Sequence, residues 1–171
     1  MGYNSGASSG NLQLIQSQTA AAAASISFTT GIGASFNDYY VIFDGVQTSS
    51  NGDTLTLVYS TNGGSSYAAT NYNSVLLNAN NGGTSTNNGT TFNYISTAQD
   101  VTTSLYGNLT LFSLNNGKNP YTTGFISYIN SGNNIMSNSS SFSTNTTVNA
   151  IRFIYGTGNI TGTIKLFGIR N

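Results

Sequence analysis

The sequence predicts an all-β fold, an antiparallel β-sandwich of the jelly-roll kind. Three observations point there. Short runs rich in β-branched and aromatic residues alternate apolar with polar. Asn- and Gly-rich turn signals separate them throughout. No stretch carries the i, i+3, i+4 apolar spacing of an amphipathic helix. The stretch Tyr39 to Tyr67 shows all this most clearly. YYVIFDGV and TLTLVYS read as strands joined at Asn51-Gly52, residues that tolerate positive φ, and Asn62-Gly63-Gly64 follows as a second turn. The expectation is a central hairpin. Val41 and Phe43 share one face and Tyr40, Ile42 and Val46 the other. In the second strand Leu55, Leu57 and Tyr59 oppose a wetter face of Thr54, Thr56 and Val58.

Taken in order, residues 1–11 are rich in Gly, Ser and Asn and predict a flexible arm, with residues 12–171 forming one β-sandwich domain. Leu12 to Thr19 reads as a first strand with Leu12 and Leu14 on one face. Ala20 to Ala24 is too short to nucleate a helix and reads as a link. Ile26 and Phe28 mark a second strand, and Asp38 suits a turn that caps nearby amides. Past the hairpin, Val75-Leu76-Leu77 is a short apolar patch. Asn78 to Thr91 (NANNGGTSTNNGTT) reads as a long structureless loop.

Phe92 to Ile95 predicts a strand, Val101 to Leu105 a weak one, and Tyr106 to Leu114 a strong one. Gly124 to Ile129 follows as a strand, then Ile135 to Phe142 as a polar edge strand. Val148 to Tyr155 and Ile160 to Ile169, flanking Gly156-Thr157-Gly158-Asn159, predict a closing hairpin.

The 171 residues suit one domain. Leu, Ile, Val and Phe make up roughly 23% of them, enough for a core rather than a disordered chain. Charged residues are only 5%, and net charge is zero. Four scattered cations do not make a footprint for nucleic acid. No run is long enough for a transmembrane helix, and without Cys no disulfide framework can form. The N-terminus carries no signal-peptide pattern. An uncharged exterior of Ser, Thr, Asn and Gly lacks the repulsion that keeps small proteins apart, so it suits a subunit inside an assembly.

The chemistry available is narrow. There is no Glu, His, Cys or Trp; the acids are Asp38, Asp44, Asp53 and Asp100. Asp38 and Asp44 lie along one strand, too far apart for a glycosidase pair, which needs carboxyls within ~5–10 Å. Asp44 and Asp53 could meet across strands, but their turn and surface roles are the expectation, and no catalytic residue or cofactor is assigned. Hard oxygen ligands exclude zinc and leave calcium as the one compatible ion, at Asn51-Gly52-Asp53, where a turn role is expected. Tyr67, Tyr72 and Tyr121 sit in or beside Asn/Ser-rich loops and are candidates for contact with a glycan or a subunit. Arg152 and Lys165 interrupt apolar strands, either guarding against edge pairing or meeting a neighbouring subunit.

LQLIQSQTAAAAASISFTTGIGASFNDYYVIFDGV, then LTLVYSTNGGSSY, and IKLFGIRN near the end resemble a recurrent small module of tailed-bacteriophage structural proteins. The resemblance covers both ends of the chain; the middle matches by pattern only. It implies a non-enzymatic β-sandwich on the outside of a virion, decorating the capsid or built into a tail fibre. Expected partners are the chain itself, as a homotrimer, and other virion proteins. A tail-fibre subunit would instead contact host surface glycan. Neither nucleic acid nor membrane is expected as a partner.

Overall fold

The computed structural model describes residues 11–33, 35–80, 83–91, 93–129 and 133–170. The first ten residues of the expected arm lie outside that set. The described residues contain no helix and form an antiparallel β-sandwich.

In chain order the strands are β1 (Leu12–Ala23), β2 (Ile26–Phe28), β3 (Asp38–Thr48), β4 (Leu55–Ser60), β5 (Tyr72–Asn80) and β6 (Gly83–Gly89). They continue as β7 (Asn93–Tyr94), β8 (Leu105–Phe112), β9 (Tyr121–Ile129), β10 (Asn133–Phe142), β11 (Ala150–Tyr155) and β12 (Ile160–Ile169). One sheet has eight strands, ordered β1-β12-β3-β8-β9-β10-β5-β6; the other has four, ordered β2-β11-β4-β7.

Both expected hairpins prove to be crossings between the sheets. β3 lies in the large sheet and β4 in the small one. Both flanks of β3 are occupied, by β12 and β8, so β4 has no free edge to join. It stacks across the core instead, burying Leu55, Leu57 and Tyr59 in the same cluster as Val41 and Phe43. β11 and β12 divide in the same way. The turns at Asn51-Gly52 and Gly156 to Asn159 do reverse the chain, but as corners of the sandwich.

A bulge further corrects the face assignment in β3. Gly45 has φ +65° and Gly162 opposite it has φ +118°. A Cβ on Gly162 would lie 2.4 Å from the Gly45 carbonyl oxygen, so the two strands approach this closely only with glycine there. The extra residue moves Val46 onto the inner face with Val41 and Phe43, where it is fully buried. The outer face of β4 is also drier than alternation predicts, since Thr56 and Val58 are both buried.

Several weakly patterned segments are strands. Ala20 to Ala23 continue β1 through a second bulge at Ala22 (φ +59°). The region expected to be a structureless loop is the β5–β6 hairpin, paired from Ser74↔Gly89 to Asn80↔Gly83. β10 is interior rather than an edge, bonded to β9 and β5. Its inner face alternates core residues Met136 and Phe142 with buried Asn138 and Ser140, and Asn138 donates to Asn93 Oδ1 of β7 at 3.0 Å. Val101 to Ser104 form a turn, and β8 begins only at Leu105.

One core cluster fills the space between the sheets. Phe153 of β11 meets Phe43 edge-to-face at 5.2 Å and Phe28 at 6.4 Å. Tyr59, Tyr72 and Phe142 form a second aromatic group, with centroids 4.9–5.9 Å apart. Burial pushes the phenols of Tyr59, Tyr72, Tyr128 and Tyr155 up, Tyr72 and Tyr128 to about 12. A phenol whose folded pKa is raised stabilises the fold fully below the ordinary value near 10. That contribution is lost as pH climbs through the folded values. Alkaline titration is therefore expected to ionise these four only together with unfolding. Phenolate absorbance and circular dichroism followed side by side test this; complete ionisation of all eleven tyrosines with native dichroism would refute it.

Candidate functional site

Alternation along each strand sends every second residue outward, and an antiparallel sheet with one free face ordinarily carries polar residues there. The large sheet departs from this. Among the described residues, every large exposed hydrophobic except Val101 lies on its outer face.

The register arranges these side chains in cross-strand rows. Phe112 of β8 pairs with Tyr121 of β9. One row runs Ile42, Asn108, Phe125, Ser137, Leu77 and Thr86 from β3 to β6. The next runs Tyr106, Ser127, Ile135, Ala79 and Thr84 from β8 to β6. On the other flank, Phe167 and Ile169 of β12 pair with Leu14 and Leu12 of β1. Phe125 is 63% exposed and Ile135 58%, so neither contributes to the core.

Charge on this face is sparse and locally compensated. Lys165 and Asp44 form an ion pair at 3.3 Å. It is exposed, so it adds little to stability, but it cancels both charges. Asp38 Oδ1 accepts the Ser113 N–H at 2.9 Å, joining β3 to the end of β8 in place of the local turn expected of it.

The three tyrosine candidates do not converge. Tyr121 stands on this outer face, 52% exposed. Tyr67 lies on the opposite side of the sandwich, in the link after β4, with the Arg152 guanidinium 3.8 Å above its ring. It helps line a cavity of about 250 Å³ with Ser60, Thr61, Ser66, Phe142 and Thr144. Tyr72 is a core residue, 3% exposed; its hydroxyl accepts the Tyr59 N–H at 2.9 Å and donates to the Ala68 carbonyl. No ring face remains on which a sugar could stack, so Tyr72 is corrected to a packing role.

The carboxylates are dispersed as well. Asp53 is 6% exposed, between the two corners of the sandwich. It accepts the N–H groups of Gly158 (2.7 Å), Thr54 (2.8 Å), Gly156 (2.9 Å) and Thr157 (3.2 Å), and the Thr48 hydroxyl (3.2 Å). Burial acts to raise its pKa, but the four amides together outweigh burial and hold it below the ordinary carboxylate value. A ring of N–H donors stabilises an anion and presents no carbonyl to a cation. This geometry suits a corner clasp, not the calcium loop considered for Asn51-Gly52-Asp53. Asp100 accepts the Gly52 N–H at 3.1 Å in the same corner. Asp44 is held on the outer face by Lys165, so it does not join Asp53 in a carboxylate pair.

No protein family, curated protein or solved structure matches this chain.

Proposed function

We propose that this chain is a non-enzymatic structural subunit on the surface of a tailed-bacteriophage virion, decorating the capsid. The observation that carries this reading is the outer face of the large sheet. Among the described residues it carries nine of the ten large exposed hydrophobics, interleaved with Ser, Thr and Asn, and the Lys165–Asp44 pair on it is internally compensated. Exposed apolar side chains gathered on one face mark a contact site for another protein. The dispersal of the four carboxylates supports the non-enzymatic part, because each described acid is engaged in a turn, a strand junction or an ion pair.

Purified particles test the proposal directly. Quantitative mass spectrometry against the major capsid protein is expected to find the chain at hundreds of copies per particle. A few to tens of copies would place it in an appendage, and absence would overturn the proposal.

A second reading, a tail-fibre subunit contacting host glycan, draws on exposed Tyr106, Phe112 and Tyr121 beside Thr123 and Ser127. Sugars stack on aromatic rings flanked by such hydroxyls. Ile135, Val75 and Leu77 on the same face offer a sugar nothing, which favours the first reading. A glycan array probed with the purified chain separates the two.

A further inference from the structure

We propose that another copy of this chain covers the outer face of the eight-stranded sheet. The inference rests on reading the chain as an assembly subunit and adds what the subunit binds first.

Area is the first argument. Eight strands about 4.8 Å apart, seven to twelve residues long at about 3.3 Å per residue, make a face of roughly 1,200 Å². A specific interface of standard size covers about 800 Å² on each partner. Phe125, Ile135, Tyr121, Tyr106, Leu77 and Leu14 are spread over five strands of that face, each more than two-fifths exposed. Large rings and aliphatics at the centre of such a patch are the residues that dominate binding energy when water is excluded.

Charge is the second. Two identical surfaces repel when each carries a net charge. Here Lys165 and Asp44 neutralise one another within 3.3 Å, and the chain as a whole carries four positive and four negative groups. Nothing on this face selects a partner of opposite sign, as complementary patches do in contacts between unlike proteins. A neutral surface with exposed hydrophobics of its own needs no second chemistry to meet itself.

The third argument is shape. The rows from β8 to β6 are continuous in register, with no bulge between β8 and β9, β9 and β10, β10 and β5, or β5 and β6; the bulges lie on the β3, β12 and β1 side. Sheets with regular faces pack at about 10 Å, side chains interdigitating. Thr84, Thr86 and Asn88 on the edge strand β6 supply a polar border on that side.

The test uses the full chain. Sedimentation velocity from nanomolar to micromolar concentration is expected to give a mass of at least twice 17.8 kDa. Phe125→Asp with Ile135→Asp should weaken self-association by about thirtyfold or more while leaving the circular dichroism spectrum native. Both side chains are outside the core, so folding does not depend on them.

The chain contains no cysteine, which allows a single spin label at Thr123→Cys; dipolar coupling between copies is expected there and not at Asn62→Cys. A wild-type monomer throughout the range would overturn the proposal. So would a doubly substituted chain that assembles like wild type, or a face that binds glycan but not itself. Failure is separable from failure of the virion reading. Self-association without incorporation into particles sinks only the latter, and incorporation of a monomeric chain sinks only the former.

Discussion

Asp53→Ala is expected to destabilise the fold by about 3–5 kcal/mol, the loss seen when a buried charged acceptor is removed and its donors stay behind. The two turns it joins, at 49–54 and 156–159, are the corners where the chain leaves one sheet for the other. Without the carboxylate, the amides of Gly156, Thr157 and Gly158 lose their acceptor in a confined space. Gly158 is fixed there for the same reason: a Cβ at that position would lie 2.4 Å from Thr48 Oγ1 and 3.0 Å from Asp53 Oδ2. Asp53→Asn should be nearly as damaging, because its amide group turns a donor toward donors. Urea denaturation of both variants measures the loss, and a change below about 1 kcal/mol would refute the clasp.

The pH dependence has a definite sign. A carboxylate whose folded pKa is depressed contributes stability above its ordinary value, near 3.8, and loses it as pH falls through the lower folded value. The difference in denaturation midpoint between wild type and Asp53→Asn is therefore expected to be full at neutral pH and to shrink below about pH 4.

The same corner shows how far the fold was legible in the sequence. Strand identity came through where apolar residues alternate, as in Val41 and Phe43 or Ile164 and Leu166, because burying one face requires that pattern. Strand pairing did not. A tight Asn-Gly turn between two apolar runs is the same signal whether the second run lies beside the first or across the core from it. What decides is whether an edge is free, and the edges of β3 were claimed by β8 and β12, distant in the chain. The polar strand β6 was missed, and β10 was placed at an edge, for a related reason: ladder hydrogen bonds belong to the backbone and need no apolar side chain.

The outer face was partly visible. Val75-Leu76-Leu77, Leu111-Phe112 and Phe125-Ile126 place apolar residues on both sides of a strand. In a sandwich only one side can meet the core, so each pair implies a second surface to be covered. Tyr121 was singled out for its loop-like surroundings and instead stands within β9. Tyr67 and Tyr72 were marked on the same grounds; one packs beneath Arg152 and the other in the core. Composition near a tyrosine says little about which way its strand faces.

Phe153→Ala is expected to cost about 3–5 kcal/mol, the range for removing a fully buried aromatic ring. Phe153 has no exposed surface and stands where the two sheets meet: Phe28 flanks it within the small sheet, and Phe43 faces it from the large one at an interplanar angle of 90°. The loss combines two effects: apolar area returned to water, and a cavity that surrounding strands cannot close. Bulged β3 and β12 are pinned by the approach of Gly162 to Gly45, so collapse from that side is limited. Phe153→Leu, which keeps most of the volume, should recover more than half of the loss.

A double-mutant cycle of Phe153→Ala with Phe43→Ala should show a coupling of about 0.5–1.5 kcal/mol, the amount an edge-to-face pair adds beyond its buried area. Strictly additive losses would mean that the two rings share a core without a specific contact. Phe125 and Phe153 are the same residue type on opposite sides of the same sandwich problem. The outward ring should change association and leave stability intact, and the inward ring should do the reverse. If Phe125→Asp alone destabilised the monomer as much as Phe153→Ala, the outer face would be part of the fold, not a surface waiting for another copy.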